Sequence, residues 1–177
     1  MGKVGALKGE DLAYALAYAG LILVAFELVK SLIVKPIKVF YADTVFGERL
    51  PFKSYEEDVL SRHKNEFEVC LFYLRDFMKA IDSDDVLAIQ GPRKHRNDLA
   101  HDLAFKLNDL QIERYVPLLE KAKKALFKLS NYRAYMEIGA DPEIQSKGID
   151  WDFLKGREYV IFEEVFNKIG VLKSGHQ

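Results

Sequence analysis

The residues best suited to chemistry in this chain stand together in PRKHRNDLAH, Pro92 to His101, its densest cluster of arginine, lysine, histidine and amide side chains. On a helix, Arg93, Asn97 and His101 repeat at i, i+4 and i+8 and line one polar stripe. Arg96 adjoins that stripe. Its long side chain can swing toward the same cleft, where a guanidinium clamps a phosphate bidentately. Histidine is the side-chain type that moves protons near neutral pH, which makes His101 a general acid or base. An arginine, an amide and a histidine around one phosphate suffice for metal-free cleavage of RNA. The histidine serves attack by the 2′-hydroxyl, and the arginine stabilises the charge that gathers on the pentavalent phosphorus. Arg93, Lys94 and His95 are the accompanying candidates for substrate binding. Pro92 suits the first turn of a helix, so the cluster is expected at a helix start, where unpaired amides and the dipole favour an anion.

Other carriers of chemistry fall away. There is no Gly-rich phosphate loop, no H-E-x-x-H, no Glu-x-x-His pair and no G-x-S-x-G elbow. His176 lies in the tail and His63 among charges, so neither suggests a site. The single cysteine, Cys70, sits in the apolar-periodic EFEVCLFYL. It excludes a disulfide within the chain, argues against cysteine-bound zinc, and reads as a small hydrophobe in a reducing cytoplasm. No metal or cofactor is expected. With 26 basic against 27 acidic residues, no global field draws the protein to nucleic acid or to an anionic membrane, so such binding must be local.

The elements that position the cluster read as helices separated by short breaks. A first helix is expected from Glu10 to Val34, ended by Pro36, with Tyr14, Leu21, Val24, Leu28 and Leu32 as an apolar stripe. It is apolar nearly all round, which suits the middle of a bundle or a subunit interface. Its uncharged run, Leu12 to Phe26, falls short of the roughly 18 to 20 residues a membrane span requires, so it reads as core, with no membrane involved. Residues 36–53 read as a loop over the bundle end, with room for a short strand pair. Ser54 and Glu57 form a capping box that opens a second helix reaching about Ile81, with Val59, Phe67, Leu71, Leu74 and Met78 inward. After a break at Ser83 to Asp85, the short VLAI and Gly91-Pro92, a third helix carries Arg93 to about Asn108. Leu99, Leu103, Leu107 and Leu110 form its apolar face, with the small Ala100 and Ala104. A fourth helix begins near Gln111, with Tyr115, Leu118, Leu119, Ala122, Leu126 and Leu129 inward. Its Lys121, Lys123, Lys124 and Lys128 form a solvated face. A last helix runs from about Arg157 to Ile169, bearing Tyr159, Phe162, Val165, Phe166 and Ile169. These elements predict one all-α domain, 1–177, an antiparallel helical bundle of four main helices with an additional C-terminal helix.

Arg96-Asn97-Asp98-Leu99-Ala100-His101 resembles the R-x4-6-H motif of HEPN-domain proteins, an all-α superfamily rich in RNases. Asn97 directly after the arginine, the place of the motif at the head of a late helix and the LVAFELVKSLIV pattern of the first helix strengthen the resemblance, which spans about residues 10–135. It implies a HEPN-like bundle in which Arg96 and His101 are catalytic and Asn97 orients them. It also implies a homodimer with two motifs facing across a cleft, RNA as substrate, and an antitoxin or defence-system partner. The two His101 side chains are then expected to approach across a two-fold axis. A tyrosine often stands two residues after the histidine in toxins of this kind paired with a nucleotidyltransferase, and here that position is Leu103. A non-catalytic HEPN-like nucleotide- or RNA-binding protein, or a scaffold dimer, is the alternative, and the near-neutral charge favours it.

Overall fold

A computed structural model describes residues 9–43, 53–106, 112–139 and 141–174, and among them the chain is helical with no strand. The helices are α1 (Gly9–Asp43), α2 (Lys53–Asp58), α3 (Glu66–Asp76), α4 (Ser83–Lys106), α5 (Ile112–Ile138), α6 (Pro142–Gln145) and α7 (Arg157–Ser174). Turns of 3-10 helix occupy Leu60–Arg62 and Trp151–Phe153.

Several boundaries differ from those that periodicity predicts. Pro36 lies inside α1, which continues to Asp43. A proline there removes one helical hydrogen bond, but Ile33, Val34, Ile37 and Tyr41 are buried on both sides of it, and that packing holds the helix together. The helix expected from Ser54 to Ile81 is broken. His63 is extended, and the Asn65 side chain accepts a hydrogen bond from the Glu68 amide at 3.1 Å, capping α3 afresh. Gly91-Pro92 likewise does not divide α4, which begins at Ser83. A Cβ on Gly91 would stand 2.8 Å from Leu118 Cγ, so the glycine lets α5 lie close against α4.

Two apolar clusters hold the bundle. The larger joins Phe26, Val29 and Ile33 of α1 to Phe67, Cys70 and Leu71 of α3, to Val86 and Ile89 of α4, to Leu126 of α5 and to Phe162 of α7. The smaller joins Tyr18 and Ile22 to Leu99, Leu119 and Ile169. Full burial of one such side chain is worth about 1.5–3 kcal/mol relative to exposure. The predicted inward residues of α3, α5 and α7 are buried or half-buried. On α1 the buried line runs instead through Ala15, Tyr18, Ile22, Ala25 and Val29, and Val24 faces outward. Helix α7 packs along α1, and α5 along α4, so the C-terminal helix is an integral member of the bundle. Asp11–Ala42 of α1 is long and apolar enough to cross a membrane by length and composition, and 39% of its most apolar window is buried against the rest of the protein. The middle of the expected loop, His176 and the side chains of Leu103, Ala104, Leu107 and Leu110 lie outside the described residues.

Candidate functional site

Helix α4 carries the whole cluster, but not at its start. The N-terminus of α4 is closed by acidic side chains: Asp82 Oδ1 accepts from the Asp85 amide at 2.9 Å, and Asp85 Oδ2 accepts from the Asp82 amide at 3.1 Å. Lys128 of α5 donates to both carboxylates, at 3.0 and 2.7 Å. The expected anion site at a helix start is therefore absent from PRKHRNDLAH, which lies two turns further on, where the amides bond within the helix.

The side chains of the cluster diverge around α4. Arg93 donates to Glu68 Oε1 of α3, and its guanidinium lies 5.6 Å from the Phe67 ring centre. Its charge is thus met within the fold. His95, expected to bind substrate, is instead buried at 2% exposure. Its Nε2 hydrogen-bonds the Tyr18 hydroxyl at 2.8 Å, and its ring stacks on Tyr115. Burial also holds the Tyr18 hydroxyl in its neutral form, pushing its pKa up from the ordinary tyrosine value. This histidine fastens α1 to α4 and α5, a role the spacing of polar residues did not reveal. Lys94 is exposed.

Arg96 and Asn97 are half-buried and joined, Arg96 Nη1 donating to Asn97 Oδ1 at 3.1 Å. The Arg96 guanidinium rests 5.5 Å from the Phe26 ring centre of α1, and its buried Nε has no hydrogen-bond partner among the described residues. One turn beyond Asn97, and on the same side of α4, His101 is exposed. No hydrogen bond joins His101 to Arg96 or Asn97 among the described residues. The structure therefore brings Arg96 and Asn97 together, sets His101 beside Asn97 on the helix surface, and turns Arg93 and His95 to packing.

Two groupings outside the motif escaped the sequence. Glu68 takes Arg93 on one oxygen, while its Oε2 lies 3.2 Å from His63 Nδ1. Beneath α2, the Tyr55 hydroxyl donates to Glu66 Oε1 at 3.0 Å and lies 3.6 Å from Cys70 Sγ, while Lys38 Nζ holds the same Glu66 at 2.7 Å. Burial pushes the Cys70 thiol up from its ordinary pKa, so it is not primed as a nucleophile. The Lys38 ammonium holds the Glu66 carboxyl below the usual carboxylate range. Both groupings depend on partners far apart in sequence, Arg93 for Glu68 and Lys38 for Glu66, and on a break before α3 that the helical period did not show. No group of three or more His, Cys, Asp or Glu side chains among the described residues is arranged to hold a metal ion. No family model, curated protein or solved structure matches the chain.

Proposed function

We propose that the protein is a metal-independent endoribonuclease of HEPN type, with a HEPN-like four-helix core, acting in the cytoplasm as a homodimer. A toxin or antiviral-defence effector, held by an antitoxin or defence-system partner, is the biological role this reading carries. Asn97 is the observation that supports it most directly: it is hydrogen-bonded to Arg96 and stands one turn from the exposed His101. An RNA phosphate lodged against that amide meets a guanidinium on one side and an imidazole on the other. His101 takes the proton of the 2′-hydroxyl as its oxygen attacks the adjacent phosphorus. The bond to the 5′-oxygen breaks, that oxygen takes a proton from solvent water while His101 returns its own to solvent, and the product is a 2′,3′-cyclic phosphate. Arg96 offsets the charge that builds on the phosphoryl oxygens. Lys94, exposed on the same helix, holds a neighbouring phosphate.

A non-catalytic nucleotide- or RNA-binding dimer, or a scaffold, is the second reading. It is favoured by the pairing of Arg93 with Glu68 and of His95 with Tyr18, which leaves fewer basic groups open to a substrate. Incubation of purified protein with RNA in EDTA separates the two. The RNase reading expects cleavage that survives EDTA and is lost in both Arg96→Ala and His101→Ala. RNA binding without cleavage supports the second reading, and cleavage unchanged by either substitution removes the proposed site.

A further inference from the structure

The α4/α5 face has a feature the proposed chemistry does not use. Leu87, Ala88 and Gly91 of α4 and Pro117 and Leu118 of α5 line an apolar groove of about 760 Å³ between the two helices. Leu87 is 68% exposed and stands as a knob on the α4 wall. Charged side chains border the groove, Asp84 on α4 and Lys121 and Lys124 on α5. Lys94 is exposed on the same ridge of α4 as Leu87, two turns further on. None of these four is within ion-pair distance of an opposite charge among the described residues, whereas Lys128 is held by Asp82 and Asp85. Asp84 offsets one of the three lysines and leaves the balance basic.

The helices are antiparallel, with a register fixed by three contacts: Asp82 to Lys128, Gly91 to Leu118 and His95 to Tyr115. Asp84 and Lys124 therefore stand at one height at one end of the groove, Lys121 stands beside Leu87, and Lys94 lies past the other end. Glu120 is turned to the far side of α5, near Tyr159 of α7, and Asp98 lies one turn beyond Lys94. From Asp84 to Gly91 the groove runs for two turns of α4, about 10 Å. A helix laid along it presents side chains at i, i+3, i+4 and i+7 over the same length, and the hole between four of them takes a knob such as Leu87. Nucleic acid fits less well, because the lining has no aromatic side chain on which a base can stack. A second copy would bring three lysines to meet three lysines, so like charge opposes self-pairing through this face.

We propose that the groove docks an acidic amphipathic helix of a partner protein. Its apolar side chains seat on Ala88, Gly91 and Leu118, and its carboxylates face Lys94, Lys121 and Lys124. Lys94 is the one residue shared with the RNase reading, and the rest of the surface stands without it.

The test uses the full chain without RNA. A labelled peptide of about 18 residues, with leucine at i, i+3, i+4 and i+7 and glutamate on both flanks, is titrated by fluorescence anisotropy at low salt. One control peptide carries lysine for every glutamate, and another carries alanine for every leucine. The acidic peptide is expected to bind saturably, one per chain, and about tenfold or more tighter than either control. Leu87→Ser weakens it by about tenfold, as does Lys121→Glu combined with Lys124→Glu, and the doubly substituted protein prefers the basic peptide instead. All three positions are on exposed helix surface, so circular dichroism should be unchanged. Absence of saturable binding overturns the proposal. So does equal binding of the acidic and basic peptides, or binding indifferent to Leu87→Ser. Binding of single-stranded RNA in place of the peptide, lost in Lys121→Glu/Lys124→Glu and kept in Leu87→Ser, assigns the face to nucleic acid and overturns it too. None of these results depends on RNase activity, so the docking surface and the catalytic reading fail separately.

Discussion

His95 and His101 show how little residue type alone says about role. They stand six positions apart on one helix, yet one is sealed between Tyr18 and Tyr115 and the other is open to solvent. Replacing His95 with alanine removes a buried ring and leaves the Tyr18 hydroxyl without its hydrogen bond. Thermal or urea unfolding is expected to show a loss of about 2–4 kcal/mol. His101→Ala should leave stability within about 0.5 kcal/mol of wild type while reducing RNA cleavage by roughly 10²- to 10⁴-fold. Arg96→Lys tests the planar fork, since an ammonium cannot serve Asn97 and a phosphate together. Cleavage is expected to fall by about 10²-fold, with the fold intact by circular dichroism. Loss of activity in His95→Ala at temperatures where that variant remains folded would show that the buried histidine does more than pack.

At the scale of elements, proline and glycine mislead when read locally. Pro36, Pro92 and Pro117 all lie inside helices. The sequence shows a local cost of about 3 kcal/mol for each but not the tertiary burial that offsets it. For the same reason the start of α4 was not legible: VLAI looks like a separate short element until Val86 and Ile89 are seen in the core. The reverse holds for α5 and α7, whose 3.6-residue periodicity is strong and whose inward faces follow it. Gly91 and Gly170 make the packing argument quantitative. Both are helical, but only Gly91 has a neighbour where a Cβ would stand. Gly170→Ala is expected to raise stability by about 0.5–1 kcal/mol through helix propensity. Gly91→Ala should lower it by about 1–2 kcal/mol, because Leu118 must shift and α5 with it. Equal changes in unfolding midpoint for the two variants would contradict this account of the α4/α5 contact.

Across the whole molecule, the helical class was legible from composition and period. The direction of each motif side chain was not, because Arg93 and Arg96 are turned by Glu68, Phe67 and Phe26 from other helices. Stability against pH follows from the same long-range partners. Lys155 holds Glu163, Lys38 holds Glu66, and the Asp85 amide with Lys128 holds Asp82 below the usual carboxylate range. These groups bind fewer protons folded than unfolded. Their contribution is present above about pH 4.5 and is lost as pH falls through the lowered folded values. At the alkaline end, burial pushes Tyr159 up to about 12 and raises Tyr18, Tyr55 and Tyr73 as well. The unfolded chain therefore loses tyrosine protons first, and stability should decline as pH rises above about 10. Unfolding midpoints measured from pH 3 to pH 11 are expected to plateau in between and fall at both ends. The catalytic claim is tested most directly by the chemistry of the product ends. Wild-type protein incubated in EDTA with an end-labelled RNA should yield fragments ending in a 2′,3′-cyclic phosphate, and His101→Ala, folded to the same degree, should yield none. Fragments with other ends, or identical cleavage by His101→Ala, would contradict it.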